Sequence, residues 1–491
     1  MPRATLPTMP LTIEPVLPER ARGGLLGATF AAATTAHSPA SAEHWITVPL
    51  NWSKPSGAKQ FDVRYFTDDS HFVASNVSAP IFVTMGGEGT SRGARCSSLA
   101  IKHSALCVAV EHRFYGQSVP RDGGASNANY WEGLSVEQNL ADTAAIVKRL
   151  QKQYAVNGAQ ARPVISFGGS YSGATCAWFR ARYPEVTMAC VSSSGVVDAR
   201  LDFPQFDEHV SRAIGDDCAS KLAAAYGAID AAFDRGDGAR IKEAFNATNL
   251  IGTAQGDNDF MYALADGPAM MDQYGAKADL CNSLGALPPN PTDDQRIANL
   301  AAIISRHYGT SFAADCFYDS ECVKNTTAPQ GPSALGGLNS RSWRFQKCSE
   351  VAYLQRRPDP REARGRGAAR VLRSKRLTLD ALLSQCEYIF GAGTNARQKV
   401  RNDALNRKFG SARPVTGRFP ASDVFYLDFS DDPWAEVSVQ SQLGPRLPYC
   451  YTQCDGCGHC GAGVPPTQRA CMDKADAWVD SLLARARARN R

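Results

Sequence analysis

The segment Gly168-Gly169-Ser170-Tyr171-Ser172-Gly173 is the stretch best suited to covalent chemistry. It follows a short apolar run, Pro163-Val164-Ile165-Ser166-Phe167, and precedes helix-forming sequence that stops at Pro184. A serine on such a strand-to-helix turn is a nucleophile elbow, which lifts its hydroxyl above the sheet. The turn is so tight that the residues two before and two after the nucleophile must be small. Gly168 and Ser172 hold those places, so the G-x-S-x-G pattern is met except for its last glycine. Taken alone, the segment reads equally well as a plain glycine-rich turn.

A serine hydroxyl needs a base, and the base needs an orienting carboxylate. On a sheet with this elbow the chain order is Ser, then Asp or Glu, then His. Beyond Ser170 the histidines are His209, His307 and His459. The first two fall in helical sequence, where a surface or satisfied core role is expected. His459 lies in a Gly/Cys-rich loop after the strand-like run Val424-Phe425-Tyr426-Leu427, and is the expected base. That run leads into Asp428, Asp431 and Asp432; Asp432, before Pro433 and Trp434, is the expected acid and Asp431 the second choice. The Tyr171 N–H and a backbone donor of the loop Gly86-Gly87-Glu88-Gly89, taken as Gly87, are the expected oxyanion hole. A plain turn is the alternative for that loop. Glu111 and His112 precede the nucleophile, the wrong order for a triad, so a fold-supporting role is expected of them.

The loop around His459 has a rival reading. Cys454-x-x-Cys457-x-His459-Cys460, with Cys450 nearby, has ligand types and spacing that suit a structural zinc. It would take His459 away from catalysis. The fifteen cysteines and the N-x-S/T sites at Asn51, Asn76, Asn246 and Asn325 favour an oxidising, secretory route with disulfides instead. On that reading no metal and no cofactor is expected, and the odd count leaves at least one cysteine without a partner in the chain.

These residues need elements to hold them. Ile81 to Met85 ends at Gly86, Cys107 to Val110 ends at Glu111, and the third run ends at Gly168; such short runs read as buried parallel strands. Ser135-x-x-Gln138 is a capping box, and Leu140, Ala144, Val147, Leu150 and Tyr154 then follow at helical spacing. The alternation predicts a doubly wound α/β sheet, which with the elbow on it is expected to be an α/β-hydrolase domain over residues 43–200. Helical patterns such as Ala219–Phe233 and Asp294–His307 predict an inserted helical cap over 201–415. The sheet domain resumes over 416–491, with a closing helix over Thr467–Arg487. Ala470, Met472, Ala477, Val479 and Leu482 are its expected packing face. Residues 1–42 are expected to be a signal or pro-segment: Arg20 and Arg22 precede a mildly apolar run, and Ala40-Ser41-Ala42 resembles a cleavage site. The basic stretch Arg356–Arg376 reads as a solvated loop.

The composition of the 491 residues narrows the field. Hydrophobic residues make up 44% and charged residues 21%, with a formal net charge of +5, so the chain is globular. No long basic face with interleaved aromatics appears, which argues against a nucleic-acid partner. No apolar stretch is long enough for a spanning helix.

Several segments together resemble the prolyl carboxypeptidase and dipeptidyl peptidase II family of serine peptidases. The nucleophile segment continues to Ala177-Trp178-Phe179-Arg180-Ala181-Arg182-Tyr183-Pro184-Glu185 as in that family. Gly86–Gly89, Glu111–Pro120, Leu134–Asp142, Trp343–Glu350, Asp432-Pro433-Trp434 and Gly458-His459-Cys460 are similar to its further blocks, in the same order. The resemblance implies a Ser170, Asp432 and His459 triad, a helical cap over it, and hydrolysis of a peptide bond after proline. It implies either carboxypeptidase or dipeptidyl-peptidase action, in a secreted or lysosomal/vacuolar enzyme. Trp343 and Glu350 of the cap block become candidates for substrate contact, with a structural salt bridge the alternative for Glu350. A homodimer is compatible with this reading. Two departures stand out: Ser430-Asp431 replaces the usual Asn-Gly before the acid, and Cys450–Cys460 is unusually rich in cysteine. The other functions open to the fold are an esterase or lipase and a non-catalytic binding protein with a Cys/His zinc site.

Overall fold

The computed structural model describes residues 41–57, 59–120, 131, 133–156, 161–326, 338–363, 371–409 and 421–489. The expected leader lies outside the described residues except for Ser41 and Ala42, which open the first strand; residues 364–370 of the basic stretch also lie outside them.

Ten strands are described: β1 Ser41–Pro49, β2 Gln60–Asp68, β3 Ile81–Thr84, β4 Leu106–Val110, β5 Val164–Gly169, β6 Ala189–Ser193, β7 Arg200–Asp202, β8 Ala352–Leu354, β9 Val424–Phe429 and β10 Tyr449–Thr452. Eight form one sheet in the order β1-β2-β4-β3-β5-β6-β9-β10. The β1–β2 and β2–β4 pairs are antiparallel, and every pair from β4 to β10 is parallel. The apolar runs before Gly86, Glu111 and Gly168 are the central strands β3, β4 and β5. Their side chains alternate between two buried clusters. Ile81, Val83, Leu106, Val108 and Val164 face one side, and Phe82, Cys107, Ile165 and Phe167 face the other. Burial on both faces is why these strands read as unbroken apolar runs.

The first side is covered by the helices Val136–Gln153 and Ser170–Arg182, the second by Ser98–Lys102 and the C-terminal helix Ala470–Arg489. In the last of these, Met472, Ala475, Val479, Leu482 and Leu483 pack on the sheet. Ala470 and Ala477, expected to do so, are exposed. The capping box is half formed: the Ser135 hydroxyl accepts from Gln138 N at 3.4 Å, but the Gln138 side chain accepts from Trp52 N at 2.7 Å. A buried ion pair ties the same helix to the end of β4, with Arg113 Nε donating to Asp142 at 2.6 Å.

Between β6 and β9 the chain is mainly helical, from Gln205–Ile214 to Thr394–Phe409, interrupted by the small parallel pair β7–β8. Seven disulfides are present: Cys96–Cys107, Cys176–Cys190, Cys218–Cys281, Cys316–Cys322, Cys348–Cys386, Cys450–Cys471 and Cys454–Cys457. Cys460 is buried and unpaired. The set of ligands weighed for zinc is therefore not assembled, because Cys450, Cys454 and Cys457 are each consumed in a disulfide.

Candidate active site

The elbow is built from its own neighbours. β5 ends at Gly169 and the next helix opens at Ser170, whose φ of +57° lies in the left-handed region. This conformation is disfavoured for a non-glycine residue and is held here by the surrounding turn. Gly168 is required by contact: a Cβ there would stand 2.0 Å from the Ser172 carbonyl oxygen. Ser172, in place of the last glycine of the pattern, donates to Gly169 O at 2.7 Å and accepts from Gly169 N at 3.0 Å. Its hydroxyl closes the turn that the pattern normally leaves to glycine. The loop after β3 passes over this first helical turn, where a Cβ on Gly87 would lie 3.6 Å from Ser172 Cβ. The backbone of Gly87 and the N–H of Tyr171 are thus brought to the same helix start as Ser170.

The acid and the histidine come from the far edge of the sheet. Asp432 follows β9 and caps the short helix Pro433–Val437, its Oδ1 accepting from Trp434 N at 2.9 Å. His459 Nδ1 lies 2.8 and 2.9 Å from the two Asp432 oxygens, and both side chains are buried. A carboxylate accepts only, so Nδ1 carries the proton and, in the neutral ring, Nε2 keeps a lone pair. That Nε2 makes no hydrogen bond among the described residues. Burial alone would lower the imidazole pKa, but the Asp432 carboxylate and the Cys460 thiol beside it outweigh burial and raise it well above the ordinary range. The histidine loop is pinned beside the elbow: Cys460 N donates to Ser194 Oγ at 2.8 Å, and the adjacent Ser193 pairs with Gly169 across β5 and β6. Asp431 is engaged elsewhere, with Lys277 Nζ at 2.7 Å and Gly456 N at 2.6 Å.

The residue after the nucleophile is a meeting point. His112 Nδ1 donates to Arg113 O at 2.7 Å, so its Nε2 accepts from the Tyr171 hydroxyl at 3.1 Å. Burial pushes His112 down to about 3, which keeps the ring neutral for that contact. Gln346 Nε2 donates to the same hydroxyl at 2.6 Å, and the Trp343 ring stands 5.3 Å from the Tyr171 ring. The helix Leu338–Lys347 of the insertion therefore rests on the elbow. Glu350 uses Oε2 to accept from Val136 N at 2.8 Å, at the start of the Val136–Gln153 helix. Glu111 is fully buried against Arg64, at 2.6 Å.

Other residues near His459 were not singled out from sequence. The rings of Trp434 and Tyr274 stand 6.2 and 6.4 Å from the imidazole. Gln273 accepts from the Trp434 indole at 3.0 Å. Glu88, on the glycine-rich loop, has a carboxyl raised by burial, against its own backbone N–H and the nearby His459. A motif match flagged the Glu88 loop, but no periodicity could have flagged Gln273 or Tyr274, which reach the site only through the packing of the insertion. His307 stays within the insertion, its ring 4.5 Å from that of Tyr308. The four expected glycosylation asparagines are all exposed. Among the described residues no group of three or more His, Cys, Asp or Glu could hold a metal ion.

The sheet order, its covering helices and the strand-to-helix elbow define an α/β-hydrolase. Within that class the chain belongs to the serine carboxypeptidase S28 family, whose model matches residues 51–469. It is therefore a member of a family of serine peptidases. It is 29% identical over 435 residues to "Probable serine protease EDA2" of Arabidopsis thaliana, covering 85% of this chain and 80% of that one. It is 29% identical to the human thymus-specific serine protease, over 82% and 78% of the two chains. The mouse lysosomal Pro-X carboxypeptidase is 27% identical over 60% of this chain and 62% of its own. Among solved structures, the acetyl esterase MekB aligns over 91% of this chain and 97% of its own, with 11% identity and a TM-score of 0.38. That likeness is too slight to argue from.

Proposed function

We propose that this protein is a serine exopeptidase that hydrolyses the bond after proline in a peptide substrate, using Ser170, His459 and Asp432. The observation that carries the reading is the buried Asp432 carboxylate on His459 Nδ1, on a loop tied beside the elbow that carries Ser170. His459 Nε2 takes the Ser170 proton as Oγ attacks the scissile carbonyl, and Asp432 holds the tautomer and stabilises the imidazolium. The backbone N–H groups of Tyr171 and Gly87 receive the negative charge on the carbonyl oxygen, each worth about 3 kcal/mol in the transition state. The imidazolium then protonates the leaving amine, and water hydrolyses the acyl-enzyme by the same steps in reverse.

Preference for proline is supported by the sequence resemblance, by the relative named a Pro-X carboxypeptidase, and by the aromatic rings of Trp343, Tyr274 and Trp434 around the site. The helical insertion, residues 201–415, acts as the cap that limits the cleft to a chain end. Seven disulfides, four exposed N-x-S/T asparagines and relatives named as extracellular and lysosomal enzymes support a secreted or lysosomal location. No helix among the described residues is long and apolar enough to cross a membrane.

The test is a peptide with one internal proline, its products read by mass spectrometry. Cleavage beside proline at one chain end is expected. Ser170→Ala should lower turnover by about six orders of magnitude; unchanged turnover in that variant would sink the assignment.

A further inference from the structure

The disulfide Cys454–Cys457 stands between the acid and the histidine of the site. Its halves are three positions apart, the shortest separation among the seven disulfides. Cys454 N donates to Ser430 Oγ at 3.1 Å, and that hydroxyl donates back to Cys454 O at 2.6 Å. Cys457 O accepts from Asp431 N at 2.9 Å, and between the two cysteines Gly456 N donates to the Asp431 carboxylate at 2.6 Å. Ser430 and Asp431 are the residues directly before Asp432, and Cys457 stands two residues before His459. The small ring closed by the disulfide therefore sets the acid turn against the histidine loop.

Access to this disulfide is one-sided. Cys457 is fully buried, whereas Cys454 is half-buried and lines a cavity of about 790 Å³ with Tyr449, Tyr451 and Gln453. The other disulfide of the segment, Cys450–Cys471, has both halves buried, and so has Cys176–Cys190 behind the elbow. Thiol–disulfide exchange needs a thiolate to reach one of the two sulfurs, so here it starts at Cys454. The charges in the cavity answer one another. Lys277 lies 2.7 Å from both Asp431 and Asp455, and Arg212 lies 2.6 Å from Glu436. An uncharged reactant thus displaces no ion pair on entering. A cross-link stabilises a fold more the longer the loop it closes. Opening the shortest of the seven loosens this loop and leaves the rest of the fold standing.

We propose that Cys454–Cys457 is a thiol–disulfide exchange site that takes a dithiol from the cavity, and that its reduction switches off hydrolysis at Ser170. The switch rests on the reading of Ser170, His459 and Asp432 as a triad. One thiolate of the dithiol bonds to Cys454 Sγ as the Cys454–Cys457 bond breaks, and Cys457 leaves as a thiolate and takes up a proton. The second thiol of the reactant attacks the mixed disulfide, and Cys454 leaves in the same way. The dithiol is oxidised to a disulfide, and its two electrons and two protons end on the two cysteines. With the ring open, the backbone that holds Ser430 and Asp431 is no longer fixed, and Asp432 and His459 lose their register. An oxidising secretory route delivers the closed, active form.

The test adds dithiothreitol in steps to the full chain and reads three quantities. Alkylation followed by mass spectrometry shows which cysteines have opened, a fluorophosphonate probe gives the labelling rate, and thermal melting reports the fold. Cys454 and Cys457 should open first. With that disulfide alone reduced, labelling should slow by about tenfold to a hundredfold, the melting temperature should move little, and reoxidation should restore the rate. The double variant Cys454→Ser, Cys457→Ser should label at the slow rate with or without the reagent. If that variant fails to fold, the wild-type series decides alone. Another disulfide opening first, an unchanged rate with Cys454 and Cys457 reduced, or a reduced chain that no longer melts as a folded protein overturns the switch. Ser170→Ala should not label in any of these states, in which case the nucleophile stands whatever becomes of the switch. Labelling of Ser170→Ala at the wild-type rate overturns the triad and this proposal with it.

Discussion

The elbow around Ser170 and the pair Asp432–His459 are held by different means. The elbow is closed by residues within a few positions of Ser170: Gly168 makes room, and Ser172 bonds back to Gly169. The pair depends on contacts across the whole chain. Trp434, two residues after the acid, donates its indole N–H to Gln273, 161 positions away. Gly458, next to His459, packs so tightly on Gln273 that a Cβ would stand 2.2 Å from its carbonyl oxygen. Lys277 and His209, also from the insertion, grip Asp431 and the residues flanking Asp432. The insertion thus supports the Asp432–His459 pair and only rests on the elbow.

The two departures from the family pattern meet in the half that carries Asp432 and His459. Ser430 Oγ donates to Cys454 O at 2.6 Å and accepts from Cys454 N at 3.1 Å. Asp431 N donates to Cys457 O at 2.9 Å, and its carboxylate accepts from Gly456 N. The altered acid turn and the cysteine-rich loop are therefore bonded to each other.

The largest effect should come from Gly168→Val, because the new Cβ meets backbone that cannot swing away. A loss of about 3 kcal/mol or more, or no folded protein, is expected in thermal melting. A variant as stable as wild type would show the elbow to be less local than described. Lys277→Met should cost about 1–3 kcal/mol by chemical denaturation, since it strands the nearly buried Asp431 carboxylate. It should also slow probe labelling by about tenfold through the Asp432 loop. Adding Asp431→Asn should cost less than the sum of the two changes; strict additivity would mean that the pair does not cooperate.

A smaller effect is expected at Glu350, whose carboxyl burial pushes up to about 7, against the Val136 N–H. A raised folded-state value means the contribution is fully present below the unfolded pKa, near 4.5, and is lost as pH rises through about 7. Glu350→Gln removes that loss. It should melt higher than wild type at pH 8 by about 1 kcal/mol equivalent, and show no such gain at pH 4. Equal gains at both values would point to packing instead of charge. The smallest effect is Ser172→Gly, which gives up the bonds to Gly169 for about 1 kcal/mol and leaves labelling close to wild type. Abolished labelling would mean that the hydroxyl does more than close the turn.

Much of the sheet was readable in advance because burial on both faces forces short, unbroken apolar runs, and β3, β4 and β5 are such runs. β6 was not singled out, because its buried residues Ala189 to Ser193 include two serines and make no apolar run; nor were β1, β2 and β10. They lie at the two ends of the sheet, where one side meets solvent and composition is mixed; Tyr451 in β10 is 42% exposed. The cysteine-rich loop permitted a zinc reading because spacing cannot tell a metal ligand from half of a disulfide. The disulfides Cys450–Cys471 and Cys454–Cys457 removed that reading.

The strand-to-helix turn at Ser170 was legible in the sequence, since its geometry depends on Gly168, Gly169 and Ser172, all within two positions of it. Chain order also pointed to His459, since it left one histidine outside the helical stretches. Folding settled which aspartate meets that histidine. Asp428, Asp431 and Asp432 are close in sequence and alike in chemistry, and only the turn after β9 turns Asp432 to His459 and Asp431 to Lys277. Folding also brought His209 to Ser430 and Glu436, 221 and 227 positions away. No local pattern encodes such a meeting, because it arises where separate elements pack.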